Sequence, residues 1–139
     1  MAINQLNAYL NFSGSAARAI ELYERVLGAK VERRMTFGEA QPDSAPATKD
    51  RIMHAVLHIG PAVVMLSDGP PSMPIPSESN THLCLDFGDP AEMAKAFDGL
   101  ASGGKVTMPL QDTFWGARFG MLTDAFNINW MFNCESPKG

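Results

Sequence analysis

Apolar residues in this chain follow two periods, one of every second position and one of every third or fourth, and the order of those periods occurs twice. Ala8, Leu10 and Phe12 alternate with Asn7, Tyr9 and Asn11, as in a strand with one covered face. A turn of small residues follows, and then Ala16, Ala19, Ile20, Tyr23 and Leu27 recur at helical spacing. The same succession returns 75 positions later. Leu83, Leu85 and Phe87 alternate with His82, Cys84 and Asp86, and Met93, Ala94, Phe97 and Leu100 make a second helical stripe. The pairs Asn7/His82, Phe12/Phe87 and Lys30/Lys105 all share that offset, which marks a repeated unit. Ser15 and Asp89 stand where helix N-caps belong, Pro90 suits a first turn, and Gly28 and Gly103 end the helical runs.

Each helix is followed by three strand-like runs: residues 30–37, 52–59 and 62–68 in the first copy, and 105–112, 114–123 and 128–134 in the second. Gly60 and Pro61 supply one tight turn; residues 124–127 supply the other, where Asn127 tolerates a left-handed backbone. The unit is βαβββ, and the predicted fold class is α+β, with two such modules forming a curved mixed sheet around a cleft. Residues 1–68 make the first module and 81–139 the second, within one structural domain. Between them, the prolines of residues 69–80 point to a linker without regular structure. Residues 38–50 read as a long irregular loop, either a lid over a site or a mobile surface loop.

Strand alternation then assigns faces. Val64 and Leu66 in the first copy, and Trp130 and Phe132 in the second, should face the helices. That leaves Val63, Met65 and Ser67, and Asn129, Met131 and Asn133, on the open faces. Pairing across the turns adds His54, Val56 and His58 in one copy and Arg118, Gly120 and Leu122 in the other. Mixed faces of this kind can line a concave small-molecule site, although a half-polar face can also simply meet solvent.

Charge and composition narrow the partners. The chain has 139 residues, 45% hydrophobic and 19% charged, enough for a real core. Its net charge of −4 offers no basic stripe for nucleic acid or an anionic membrane. The N-terminal stretch carries neither a basic region nor a long apolar run, so a cytoplasmic protein is expected. Cys84 and Cys134 fall on opposite faces by parity and are expected to be free thiols.

With the repeat in hand, "YLNFSGSAARAIELYERVLGAKV", "HAVLHIGPAVVMLSDGPPS" and "DTFWGARFGMLTDAFNINWMFN" resemble the vicinal oxygen chelate superfamily of glyoxalases, extradiol dioxygenases and fosfomycin and bleomycin resistance proteins. Within it they look like the PhnB-like branch; the Thr113-Phe114-Trp115 and Phe119-Gly120 segment followed by Asp124 and Trp130 is the specific part. The resemblance implies a glyoxalase-like fold and a homodimer. It also implies that metal-dependent members take ligands, His or Glu, from the first and fourth strands of each copy. Those places hold Asn7, Met65, His82 and Met131 here, and only His82 is of a ligand type. Two thioethers in place of carboxylates remove the charge a divalent cation needs, so no metal and no cofactor are expected.

Two functions remain open at this point. The first is a protein that binds or sequesters a small organic molecule without metal. Tyr9, Phe114 and Trp115 would give aromatic contact, Arg118, Asn129 and Asn133 orientation, and Met65 and Met131 adaptable walls, with Asn7, His82 and Cys84 on the same faces. The second is an enzyme of isomerase, lyase or transferase type, with or without a divalent metal, in which His82 is the acid or base. A methyl-donor site is not expected, because no Gly-rich loop opens a helix after a strand.

Overall fold

The computed structural model describes residues 2–72 and 74–135; Met1 of the first module, Met73 of the linker and residues 136–139 of the second module lie outside the described residues. The chain divides into two compact units, residues 1–75 and 76–139. The first runs β1 (Ala8–Phe12), α1 (Ala16–Leu27), β2 (Lys30–Thr36), α2 (Phe37–Ala40), α3 (Pro46–Lys49), β3 (Ile52–Ile59) and β4 (Ala62–Asp68). The second runs β5 (Leu83–Phe87), α4 (Pro90–Ala101), β6 (Lys105–Asp112), β7 (Ala117–Thr123) and β8 (Asn129–Glu135). Their four-stranded sheets share one topology, β1-β4-β3-β2 and β5-β8-β7-β6. In each, the first strand pairs parallel with the last and the remaining ladders are antiparallel. This is the α+β, paired βαβββ, glyoxalase-like architecture expected from the sequence.

Each unit has its own core beneath its helix. In the first, Ile20 and Tyr23 of α1 are buried with Leu10, Phe12, Leu57 and Leu66 of the sheet. In the second, Met93, Phe97 and Leu100 of α4 are buried with Leu122, Trp130 and Phe132, and Phe97 meets Phe132 edge to face at 5.1 Å. Each large apolar side chain so covered contributes about 1.5–3 kcal/mol. The helical stripes differ from expectation by one position each. Leu22 and Ala96 are buried, while Leu27 and Ala94 at the stripe margins are only half-buried.

The two helices begin differently. Asp89 caps α4 by accepting the Ala91 N–H at 2.9 Å. Ser15 makes no such bond. Its place is taken from across the sheet by Asp68, whose Oδ1 accepts the N–H groups of Gly14 (2.7 Å) and Ala16 (3.1 Å) and whose Oδ2 accepts that of Ile52 (2.9 Å). A carboxylate at a helix start also answers the positive end of the helix dipole. The end of α1 is as expected, with Gly28 left-handed at φ 67°.

Three local expectations are corrected. Residues 38–50 are not irregular: they hold the rest of α2 and the one-turn helix α3, and Thr36 and Glu39 form a reciprocal capping box at the start of α2. Strand β7 begins at Ala117, not at Phe114. Thr113 closes a turn instead: its N–H bonds the Ala117 carbonyl at 2.8 Å, its hydroxyl accepts the Ala117 N–H at 3.1 Å, and Gly116 takes φ 84°. Asn7 and His82 lie one residue before the strands β1 and β5. Among the described residues no helix is long and apolar enough to cross a membrane.

Candidate functional site

The open face of each sheet is set by register. In the first unit one row across the strands reads Tyr9, Met65, Val56, Arg33. The Tyr9 hydroxyl lies 3.2 Å from His54 Nδ1, with their rings tilted and 5.9 Å apart. His58 pairs with Glu32 at 2.9 Å, and Ser67 donates to the Met53 carbonyl at 2.7 Å. His54, Val56 and His58 therefore share the open face, as expected, but both imidazoles already have side-chain partners there. Asn7 accepts from Gln5 Nε2 at 2.6 Å.

In the second unit the rows are Cys84, Met131, Met121, Met108 and, beside it, Asp86, Asn133, Phe119, Gln111. This overturns the face assigned to Arg118, Gly120 and Leu122. Leu122 is buried opposite Trp130, Gly120 opposite Phe132, and Arg118 stands opposite the buried Cys134 on the helix-covered side. The cause is loop length. Across the two-residue Gly60-Pro61 loop Ile59 faces Ala62, so an even position opposes an odd one; across the five-residue loop 124–128 Thr123 faces Asn129, so like parities meet. Arg118 makes only a long, exposed contact to Asp112 at 3.5 Å. Phe119, Met121 and Thr123 take the open-face places instead. The signal was in the sequence: Gly120 is the small residue opposite Phe132 in a crowded core, where a Cβ would meet Phe97 and Leu110 at about 3 Å.

The two asparagines flanking Met131 have separate duties. Asn129 accepts from the Thr123 hydroxyl at 2.7 Å and donates to the carbonyls of Ser79 and Thr81 at 3.0 and 3.2 Å, pinning the end of the linker to β8. Asn133 donates to Asp86 at 2.9 Å on the open face. Cys84 is exposed and Cys134 buried, both as free thiols. Partial desolvation, helped by the Asp86 charge, pushes the Cys84 thiol above its ordinary range, which disfavours the thiolate.

Phe114 and Trp115 stand on the 113–116 turn, 97% and 57% exposed, so neither is a core residue. Their rings meet edge to face at 4.9 Å, and Trp115 meets Phe119 at 6.1 Å. Three aromatic rings thus run from the turn onto the open face next to Asp86 and Asn133.

The sequence from residue 5 to residue 132 matches the family model described as Glyoxalase/Bleomycin resistance protein/Dioxygenase superfamily. The chain belongs to that superfamily. Among curated proteins it is 37% identical to Protein YjdN of Escherichia coli (strain K12), over 92% of this chain and 93% of that one. The crystal structure of protein PA1353 from Pseudomonas aeruginosa matches with a TM-score of 0.87 at 40% identity, covering 97% of this chain and all of the other. The PhnB protein from Bacillus cereus shares the fold, with a TM-score of 0.77 at 19% identity and coverage of 94% and 99%.

Superfamily membership raises the question of the metal implied by resemblance, and the donors here do not fit it. Met65 and Met131 are neutral thioethers; Asn7 is a neutral amide already accepting from Gln5; His82 alone is an imidazole. Among the described residues no three His, Cys, Asp or Glu side chains converge. A divalent cation would find no carboxylate in this set. Of the branch-specific motif, Thr113 shapes a turn, Gly120 makes room in the core, and Asp124 and Trp130 bond each other. Only Phe114, Trp115 and Phe119 present rings outward.

Proposed function

We propose that the chain binds a small organic molecule on its open sheet faces and sequesters it, with no divalent metal in the site. The observation that carries this reading is the pair Met65 and Met131, each held in a sheet row with no acidic neighbour in that row, where the resemblance implies metal-binding carboxylates. Methionines form adaptable apolar walls, and the Phe114, Trp115 and Phe119 rings offer stacking beside the polar Asp86 and Asn133. Nucleophilic use of Cys84 is disfavoured by its raised pKa. The exposed Cys84 suits a reducing cytoplasm, and exposed Val31, Met35 and Val106 on the outer strands β2 and β6 suit a homodimer.

The test is calorimetry on chelator-treated protein against planar aromatic and glycopeptide compounds, with metal analysis of the same sample. Saturable binding that survives chelation is expected. Flat titrations across the panel, or a stoichiometric divalent metal whose removal abolishes binding, would overturn the reading.

A further inference from the structure

Cys84, Met131, Met121 and Met108 occupy four successive places across the second sheet, each opposite the next in register. Neighbouring strands lie ~4.8 Å apart, so Cys84 and Met121 flank Met131 with about 10 Å between their backbones. Residues in register project to the same side, and each methionine has three rotatable bonds with which to swing its sulfur inward. The row is open to solvent: Cys84 is exposed and the three methionines are half-buried. Asp86, two residues from Cys84 on the same face, adds a fixed negative charge held by Asn133. The matching row of the first unit, Tyr9, Met65, Val56, Arg33, has one sulfur and a cation, so the topology alone does not call for sulfur at these places.

We propose that Cys84, Met131 and Met121 form a site for a soft monovalent cation, copper(I), held by one thiolate and two thioethers. Thiolate and thioether ligands select copper(I) over hard divalent ions. On binding, a copper–sulfur bond forms, the Cys84 proton leaves to solvent, and the metal keeps its oxidation state. The +1 ion cancels the thiolate charge, and Asp86 favours the incoming cation. The site lies within the second unit and needs no organic ligand, so it goes beyond the binding function proposed above. Its failure would leave that function untouched.

The experiment is an anaerobic titration of the full chain with copper(I) against a chromophoric copper(I) chelator, repeated with redox-inert silver(I). One equivalent should bind. Cys84→Ser should lower affinity by more than about tenfold, a loss that even outer-shell partners of a metal ligand can produce. A Met121→Leu, Met131→Leu double variant should do the same while keeping its melting temperature, since Leu replaces Met at similar volume. Cys134→Ser should change nothing in the titration, because that thiol is buried on the other face. X-ray absorption of the wild-type copper(I) form should show a shell of three sulfurs and needs no variant to fold. Absence of binding, undiminished affinity in the methionine double variant, loss in Cys134→Ser, or a shell containing nitrogen or oxygen would each overturn the site.

Discussion

Trp130 donates its indole N–H to Asp124 at 2.9 Å, deep in the second unit, while the other oxygen of that carboxylate accepts the backbone N–H groups of Phe126 and Ile128 at 2.8 and 3.1 Å. One buried acid thus shapes the β7–β8 loop and fixes the largest core ring. Replacing it strands several donors at once, and bonds to a charged acceptor are each worth about 1.5–3 kcal/mol. Asp124→Ala should therefore lower stability by about 3 kcal/mol or more in urea unfolding, and Asp124→Asn by less. A loss below about 1 kcal/mol for the alanine variant would show that the carboxylate is not what holds the loop.

Gly120 gives a test by sign. On an open sheet face, glycine to alanine stabilises by about 0.4–1 kcal/mol through the unfolded chain. At Gly120 the added Cβ would meet Leu110 at 2.9 Å and Phe97 at 3.0 Å, so Gly120→Ala should destabilise by about 1–3 kcal/mol. A stabilised variant in thermal or chemical unfolding would return Gly120 to the open face and undo the register argument.

The Cys84 thiol is held above the ordinary cysteine range by desolvation first and by Asp86 second. Thiolate is the reacting species, so alkylation of Cys84 should be slow near neutral pH and reach half its limiting rate at a pH above that of a model thiol. Removing the neighbouring charge with Asp86→Asn should move that midpoint down but not fully back. Mass-spectrometric rates for Cys84 from pH 7 to alkaline pH would check both; a midpoint at or below the model thiol contradicts the cause assigned.

The chain has two tryptophans, one buried and one exposed, which separates fold from binding in a single spectrum. Acrylamide should quench Trp115 readily and Trp130 hardly at all. A ligand stacking at the aromatic turn should protect Trp115 alone, and Trp115→Ala should weaken that ligand by about tenfold while shifting stability by less than about 0.5 kcal/mol. Unchanged affinity in the variant would remove the turn from the site.

Much of the fold was legible because its signals are local and repeated. Alternation in Ala8 to Phe12 and Leu83 to Phe87, helical stripes after each, and the tight Gly60-Pro61 turn together yield both sheets. What failed was long-range register. Arg118, Gly120 and Leu122 were assigned by analogy with the first hairpin, and a loop of odd length reversed their face. Residues 114–116 read as strand because Phe114 and Trp115 are strand-favouring residues, while the turn depends on Thr113 and the positive φ of Gly116. Asp68 and Asp124 gave no sequence sign that their charges serve backbone donors. That role depends on partners 16 to 54 positions away for Asp68, and on a folded loop for Asp124.

Asp68 lies opposite Phe12 as Cys134 lies opposite Phe87, so the residue that caps α1 has a thiol in its place in the second unit, where Asp89 caps α4 instead. The halves have thus exchanged one fastening for another at the same joint. Exchanging only those two residues, Cys134→Asp in one half and Asp68→Cys in the other, would give α4 a second acid at its start and leave α1 with none. Duplication supplied a shared plan, but each half now depends on its own fastening, and the two are no longer interchangeable parts.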